Sequence, residues 1–251
     1  MMEATLLGLF MLSACDFTIF LEHPGSPGFR AVADPFTRRA LIGLAMGATA
    51  IGLIYSPMGR RSGAHFNPAV TLTYFRLGKI RRTDATCYIV AQFIGGVVGV
   101  TLVMATAGVL AAAPSVRFAE TRPAMGALGP ALIAEFAISF LTMTAVLVTS
   151  NIRSLAPFTG IMCGILVACY VTFESPISGF SMNPARSFAS AVGAWDWQFL
   201  WIYFVAPPLG MLAASEVYVR VRGGQVFCAK LNRSGPSRCI FQCDYHALQE
   251  G

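Results

Sequence analysis

The sequence predicts an all-α membrane protein with six transmembrane helices and two re-entrant half-helices in an inverted 3+3 repeat. Three observations lead to this fold class. The 251-residue chain is 55% hydrophobic but only 12% charged, about half the charged fraction of a soluble domain. Six apolar runs approach the roughly 20 residues that a helix needs to cross a bilayer. A short Asn-Pro-Ala segment occurs twice, once in each half of the chain.

The apolar runs define the six predicted spans in chain order. They cover residues 4–21, 40–55, 85–113, 127–149, 158–173 and 199–219. The second and fifth runs are short, and each is followed by one Asn-Pro-Ala segment. Each half therefore contains an acid-bearing span, a short span, the motif and a long span. Because three spans per half is an odd number, the two halves must insert with opposite orientations.

Each motif is suited to opening a short helix inside the membrane. Asn is favoured as an N-cap and Pro at the first helical position, so we predict half-helices from Asn67 to about residue 75 and from Asn183 to about residue 192. The inverted halves would bring both N-termini together near the midplane, where their positive dipole ends point at one spot. Two Asn amides there would donate hydrogen bonds to a neutral polar molecule, while the same field opposes cations and protons.

The stretches "SGAHFNPAV" and "GFSMNPARSF", with the six-span pattern, resemble the aquaporin family, the major intrinsic proteins. The resemblance implies a passive transmembrane channel, assembled as a homotetramer in which each monomer holds its own pore. It implies pore positions at the two motifs, which are Asn67, Pro68, Ala69, Asn183, Pro184 and Ala185. It also implies that Glu3 and Glu135 accept hydrogen bonds from the motif loops and that His65 lines the pore. A His65 that only packs the loop is the alternative.

A lone Arg inside an apolar half-helix is a functional hypothesis by default, which singles out Arg186. The resemblance implies that Arg186 is the cationic member of a selectivity filter. The other filter positions that the resemblance implies are Val171, Phe180 and, on the second helix, either Met46 or Gly47. Strict water channels of the family place His where this chain has Val171, and an aromatic residue at Phe180 is similar to glycerol facilitators. In contrast, Ser187 after the Arg resembles the water channels.

We therefore expect passage of water and of small neutral solutes such as glycerol, with ions and protons excluded. A strict water channel and a non-conducting membrane scaffold of the same fold are the alternatives. The sequence contains no nucleophile–base–acid set and no nucleotide-binding loop, so we expect neither an enzymatic activity nor a cofactor.

The charge distribution predicts orientation. Twelve of the 18 Lys and Arg residues fall on the side that carries both termini, which predicts cytoplasmic termini by the positive-inside rule. The net charge of +6 then reflects topology, and we expect the lipid bilayer and no nucleic acid as a partner. We expect an integral, multi-pass protein of the cell (inner) membrane.

We divide the chain into an aquaporin-like channel domain, residues 1–222, with repeats at about 3–112 and 125–222, and a tail, residues 223–251. The tail contains Cys228, Cys239, Cys243 and His246, residue types that bind zinc or iron. Their spacing matches no strong zinc pattern, so our interpretation is no metal site and a flexible or membrane-apposed tail. Metal binding by these four residues is the alternative, and S-palmitoylation is a lesser one.

Overall fold

The structure of the protein is a computed structural model that describes residues 1–223, 226–232 and 239–244. The helices of the described residues are α1 (Met2–Glu22), α2 (Pro27–Ala31), α3 (Pro35–Tyr55), α4 (Pro57–Ser62), α5 (Pro68–Arg76), α6 (Arg82–Ala111), α7 (Leu128–Ser150), α8 (Thr159–Phe173), α9 (Ser175–Ser178), α10 (Pro184–Ala194) and α11 (Leu200–Arg222), with 3₁₀ turns at Arg117–Ala119 and Ala156–Phe158. Six of them, α1, α3, α6, α7, α8 with its preceding 3₁₀ turn, and α11, are long and apolar enough to cross a membrane. The predicted number and order of spans are therefore confirmed.

The two half-helices begin where the motifs predict. Asn67 is the N-cap of α5 and Asn183 is the N-cap of α10, and a Pro occupies the first turn of each helix. With 9 and 11 residues, they are roughly 14 and 17 Å long at about 1.5 Å per residue, far less than the bilayer core. Neither can span, so the chain must turn back on the side from which it entered.

The two halves interlock with matching contacts. In each half the first span packs on the last, α1 on α6 and α7 on α11, while α3 packs on α8 across the halves. Each half-helix packs on the last span of the other half, α10 on α6 and α5 on α11. Six spans return the chain to its starting side, which we call the tail side; the other is the opposite side.

Small residues allow the spans to approach closely. A Cβ atom added at Gly95 of α6 would lie 2.0 Å from the carbonyl oxygen of Ala4 in α1. In the other half, a Cβ atom at Gly210 of α11 would lie 2.4 Å from the carbonyl oxygen of Phe136 in α7. Close packing through small residues is the usual way in which membrane helices associate, and here it joins equivalent pairs in both halves.

The outer faces of the spans expose apolar side chains. On α6, Val90, Ile94, Val98 and Leu102 recur every four residues and are between 49% and 57% exposed. This spacing places them on one face of the helix. Such a continuous apolar face is unfavourable in water and is suited to contact with lipid chains or with another membrane protein.

Candidate functional site

The two Asn-Pro-Ala motifs meet through reciprocal hydrogen bonds. Asn67 Nδ2 donates to the carbonyl oxygen of Met182 at 2.8 Å, and Asn183 Nδ2 donates to the carbonyl oxygen of Phe66 at 2.8 Å. Each acceptor residue immediately precedes the other motif's Asn. The N-termini of α5 and α10 are therefore held against each other, as the inverted repeat predicts.

Each Asn also caps its own half-helix. Asn67 Oδ1 accepts from the backbone N–H of Ala69 at 2.8 Å, and Asn183 Oδ1 accepts from those of Ala185 and Arg186 at 3.1 and 3.2 Å. An amide NH₂ has two hydrogens, and the cross-motif bond uses one of them. The other remains available to a molecule beside the motifs, at the point where the positive ends of both helix dipoles converge.

A buried acid supports the first motif loop. Glu3 Oε1 accepts from the backbone N–H of His65 at 3.3 Å, and Oε2 accepts from the N–H of Phe66 at 2.6 Å and from Gln92 Nε2 at 2.8 Å. In this loop Ala64 and Phe66 adopt positive φ angles of 57° and 29°, a region that costs non-glycine residues about 1–3 kcal/mol each. The bonds to Glu3 help to hold this strained backbone.

The second motif loop has the matching support. Glu135 Oε1 accepts from Ser178 Oγ and from the N–H of Ser181, each at 2.7 Å, and Oε2 accepts from the N–H of Met182 at 2.8 Å. Phe180 and Met182 have φ angles of 53° and 54°. In both loops, two residues with positive φ angles are thus separated by one residue without a positive φ. Each loop is anchored to an acid on the first span of its half.

A narrow cavity of about 80 Å³ runs past the two motifs. Asn67 and Asn183 line it together with mostly apolar side chains, among them Val70, Val146, Cys163 and Val167. Hydrogen-bonding groups are therefore concentrated at the motifs, while the remaining wall is largely apolar. A small polar molecule in this cavity would find its strongest partners at the two Asn amides.

A wide cavity of about 450 Å³ opens on the opposite side. Its lining includes four residues predicted for the filter, Met46, Val171, Phe180 and Arg186. The fifth candidate, Gly47, is wrong: a Cβ atom there would lie 2.5 Å from the carbonyl oxygen of Gly164 in α8. Gly47 therefore faces the α3–α8 contact, and of the two adjacent candidates Met46 is the one that lines the cavity.

Arg186 is a buried residue with an unused hydrogen-bond donor in the described part of the chain. It lies in the first turn of α10 and is 8% exposed. Its guanidinium Nη1 is buried and has no hydrogen-bond partner in the described part of the chain. An unpaired buried donor of a charged group is costly, so this group is suited to binding a molecule in the wide cavity.

Phe10 of α1 is a site residue that sequence reasoning missed. Phe10 and Phe180 each line both cavities, so the two rings lie where the wide cavity meets the narrow one. The available signal was helical spacing, because Phe10 follows Glu3 by two turns and therefore lies on the same inward face of α1. That signal could not separate it from Leu7 and Ala14 on the same face.

Charged groups surround the opposite mouth in pairs. Glu120 lines the wide cavity and accepts from Arg117 at 2.8 Å, and Asp196 pairs with Arg122 at 2.8 Å. Burial raises the pKa of Glu120 above its usual range, and the Arg117 guanidinium opposes this shift. The mouth thus carries both signs of charge, and Arg186 stands deeper, in the first turn of the half-helix.

His65 lies at the tail-side end of the narrow cavity and is only 1% exposed. Its Nε2 atom donates to the carbonyl oxygen of Ala229 in the tail at 2.8 Å, and its Nδ1 atom lies 3.1 Å from Thr71 Oγ1. Its ring stacks between Tyr74 and the tail residue Phe241. His65 therefore both lines the cavity and packs against its surroundings, which combines the two alternatives.

The tail brings its cysteines together. The sulfur atoms of Cys228, Cys239 and Cys243 all lie within 4.8 Å of one another, whereas His246, the fourth candidate, lies outside the described residues. The described tail segments pack against the membrane domain, with Val226, Ala229 and Leu231 in its hydrophobic core. The described tail segments thus pack against the membrane domain, which differs from the expected flexible or membrane-apposed tail.

The fold and site define a membrane channel built from two inverted halves that meet at paired half-helices. The sequence profile described as "Major intrinsic protein" matches residues 4–218. The chain is 35% identical over 186 residues to a probable NIP-type aquaporin of Nicotiana alata, and this alignment covers 74% of this chain and 67% of that protein. It is 37% identical over 184 residues to the probable aquaporin AqpM of Archaeoglobus fulgidus, covering 70% and 74% of the two chains.

Two further comparisons agree. Aquaporin Z of Photorhabdus laumondii is 28% identical over 230 residues, covering 86% of this chain and 95% of that protein. The solved aquaglyceroporin of Plasmodium falciparum superimposes with a TM-score of 0.68 at 19% sequence identity, covering 88% and 94% of the two chains, which supports the fold alone. The chain therefore belongs to the major intrinsic protein family, and as such it is a passive multi-pass membrane channel for water and small solutes and not an enzyme.

Proposed function

We propose that the protein conducts water in single file together with small neutral solutes such as glycerol, and that it excludes ions and protons. The observation that carries this proposal is that Arg186 lines the wide cavity beside Met46, Val171 and Phe180, and that its Nη1 atom has no hydrogen-bond partner among the described residues. At the level of these four residues, Arg186 supplies hydrogen-bond donors and the other three side chains are apolar. We assign these four residues to the selectivity filter.

A polyol suits such a filter. It has a hydroxyl edge and a carbon edge, so Arg186 can donate to its hydroxyl oxygens while Val171 and Phe180 contact the carbon edge. An imidazole at position 171 would narrow the filter and add a polar group to a wall that is apolar here. The aliphatic Val171 therefore favours a solute that carries its own apolar surface.

Two parts of the channel, the filter and the paired motifs, exclude ions and protons through positive charge and hydrogen-bond donors. Arg186 places a positive charge at the filter, and the N-termini of α5 and α10 place two positive dipole ends at the motifs. Asn67 and Asn183 offer only N–H groups to the cavity because their oxygens cap the half-helices. A water there accepts from both amides, which turns its hydrogens away and interrupts a proton-conducting chain.

We further propose a homotetramer in the cell (inner) membrane with cytoplasmic termini. The excess of Lys and Arg on the tail side supports this orientation. The exposed apolar face of α6, from Val90 to Leu102, supplies surface for lipid or for neighbouring subunits. The tail side is then the cytoplasmic side, and the wide cavity opens outward.

Stopped-flow swelling of reconstituted vesicles tests the solute proposal. The wild-type protein should raise both water and glycerol permeability above those of empty vesicles. Val171→His should lower glycerol permeability more than water permeability. Val171→Leu is the matched control, because Leu is close to His in size but keeps the wall apolar, so it separates polarity from volume.

The alternatives give different results in the same assay. Water flux without glycerol flux would mean that Phe180 and Phe10 restrict the junction to water and would establish a strict water channel. Absence of both fluxes from correctly folded protein, with metal chelator present, would instead support a non-conducting scaffold. Current carried by ions or protons through the wild-type protein would refute the exclusion argument.

A further inference from the structure

The tail crosses the tail-side end of the narrow cavity. The backbone N–H of Leu231 donates to the carbonyl oxygen of Gly63 at 3.1 Å, next to the motif loop. Ala229 accepts from His65 Nε2 at 2.8 Å. Leu231 itself lines the narrow cavity and is 5% exposed. The first tail segment, residues 226–232, thus occupies the place where a molecule would leave the cavity.

The first segment is also fixed at two further points. The backbone N–H of Phe227 donates to Asn151 Oδ1 at 2.7 Å, which ties it to the end of α7. Lys230 Nζ donates to the carbonyl oxygen of Arg60 in α4 at 2.8 Å. These bonds join the tail to both halves of the membrane domain, on either side of the cavity mouth.

The second tail segment, residues 239–244, lies over the first. The ring of Phe241 stacks on His65 with centroids 5.5 Å apart and an interplanar angle of 5°. The N–H of Gln242 donates to the carbonyl oxygen of Lys79 at 3.1 Å, and Lys79 Nζ pairs with Asp244 at 2.7 Å. The second segment therefore covers the cavity mouth on the outer side of the first segment.

The three cysteines connect the two segments. Cys228 belongs to the first segment and is 5% exposed, while Cys239 and Cys243 belong to the second. The sulfurs of Cys228 and Cys239 are 3.6 Å apart, and all three sulfurs lie within 4.8 Å. Zn–S bonds of about 2.3 Å in a tetrahedral site place sulfurs roughly 3.8 Å apart, so small side-chain shifts would bring all three onto one ion.

We propose that Cys228, Cys239 and Cys243 bind one thiophilic divalent cation, Zn²⁺, and that this ion fastens the tail across the mouth and closes the channel. Three thiolates form a donor set that favours Zn²⁺ over hard cations such as Mg²⁺ and Ca²⁺. The fourth position of a tetrahedral site remains for water. Loss of the ion leaves the two segments joined by weaker contacts, so the mouth opens more readily.

Metal binding is tested on the purified full-length protein in reducing buffer. After incubation with Zn²⁺ and removal of free ion, metal analysis should find about one Zn²⁺ per chain, and Co²⁺ should give thiolate-to-metal charge-transfer absorption. Cys239→Ser and Cys243→Ser should each lose this band and most of the bound metal. Cys87→Ser, an exposed cysteine on α6, is the matched control and should behave as wild type.

Closure is tested by swelling of vesicles with buffered Zn²⁺ or chelator on both sides. Zn²⁺ should reduce the water permeability of the wild type and of Cys87→Ser several-fold, and chelator should restore it. Cys239→Ser and Cys243→Ser should stay open in both conditions, with circular dichroism unchanged. This closure depends on the proposed conduction, whereas the Co²⁺ band does not, so the two proposals can fail separately.

Four results would contradict all or part of the inference. Absence of the charge-transfer band in reducing buffer would remove the metal site, and a Cys228–Cys239 disulfide without metal would replace it by a redox link. Stoichiometric Zn²⁺ binding with unchanged flux would leave a structural site and refute closure. Absence of flux from every variant in chelator would refute conduction, and closure with it, while the band would still decide the site.

Discussion

Replacing Glu135 by Gln tests the support of the second motif loop. The carboxylate accepts three hydrogen bonds, two of them from the backbone N–H groups of Ser181 and Met182. Gln has the same shape but only one oxygen, so at least one of the three donors must face an NH₂ group. The change therefore removes an acceptor without creating a cavity.

The structure sets the magnitude of this effect. A hydrogen bond to a charged group contributes roughly 1.5–3 kcal/mol, and a buried donor left unpaired costs about 1–3 kcal/mol. We expect a loss of about 2–4 kcal/mol for Glu135→Gln from this single acceptor. For a chain of this size about 1 kcal/mol corresponds to roughly 2–4 °C, so Tm in detergent should fall by roughly 5–15 °C.

The flux of water through the Glu135→Gln variant should fall together with its thermal stability. The reason is that the carbonyl oxygen of Met182 also accepts the cross-motif hydrogen bond from Asn67 Nδ2 at 2.8 Å. In the Glu135→Gln variant, a loop that moves away from the substituted side chain would pull on this cross-motif bond. The control is Glu216→Gln, which removes a surface pair with Arg76 whose two side chains are 39% and 60% exposed. Exposed pairs contribute about 0–1 kcal/mol. Equal shifts of Tm for the two variants would refute the reasoning.

Three further predictions concern the α3–α8 contact and the two cavities. Gly47→Ala should lower Tm, because its Cβ atom would lie 2.5 Å from the carbonyl oxygen of Gly164; thermal unfolding in detergent measures this. Arg186→Val should admit cations or protons by removing the charge at the filter, and a pH-sensitive dye inside vesicles reports the leak. Phe10→Leu should raise glycerol flux relative to water flux by shortening a side chain at the junction of the cavities, as measured by swelling.

Each of these predictions has its own check. Gly52→Ala on the same helix is the control for Gly47→Ala, since a Cβ atom at Gly52 meets nothing within 4 Å; it should be neutral or slightly stabilising. If vesicles that contain the Arg186→Val variant show no proton leak, the two motifs alone are enough to exclude protons. If the ratio of glycerol permeability to water permeability is unchanged in Phe10→Leu, the narrowest point of the channel lies elsewhere.

Local chemistry made much of the fold predictable from the sequence. The apolar runs identify the spans because each must satisfy its own backbone in lipid. Asn67 and Asn183 predict the starts of the half-helices because N-capping depends only on neighbouring residues. The cost of a charge in an apolar segment singles out Arg186 in the same way. These features need no knowledge of which helix packs on which.

Tertiary packing decided what such local rules leave open. Met46 and Gly47 are adjacent, and only the contact of α3 with α8 shows which one faces the cavity. Phe10 becomes a junction residue because packing places it against Phe66 of the first motif loop, in the lining of both cavities. The cysteine cluster joins Cys228 to residues 11 and more positions away, through a tail path set by contacts with the first motif loop and with the start of α6. Sequence spacing cannot show such a path, because a chain's route across a distant surface depends on long-range contacts rather than on its neighbours in sequence.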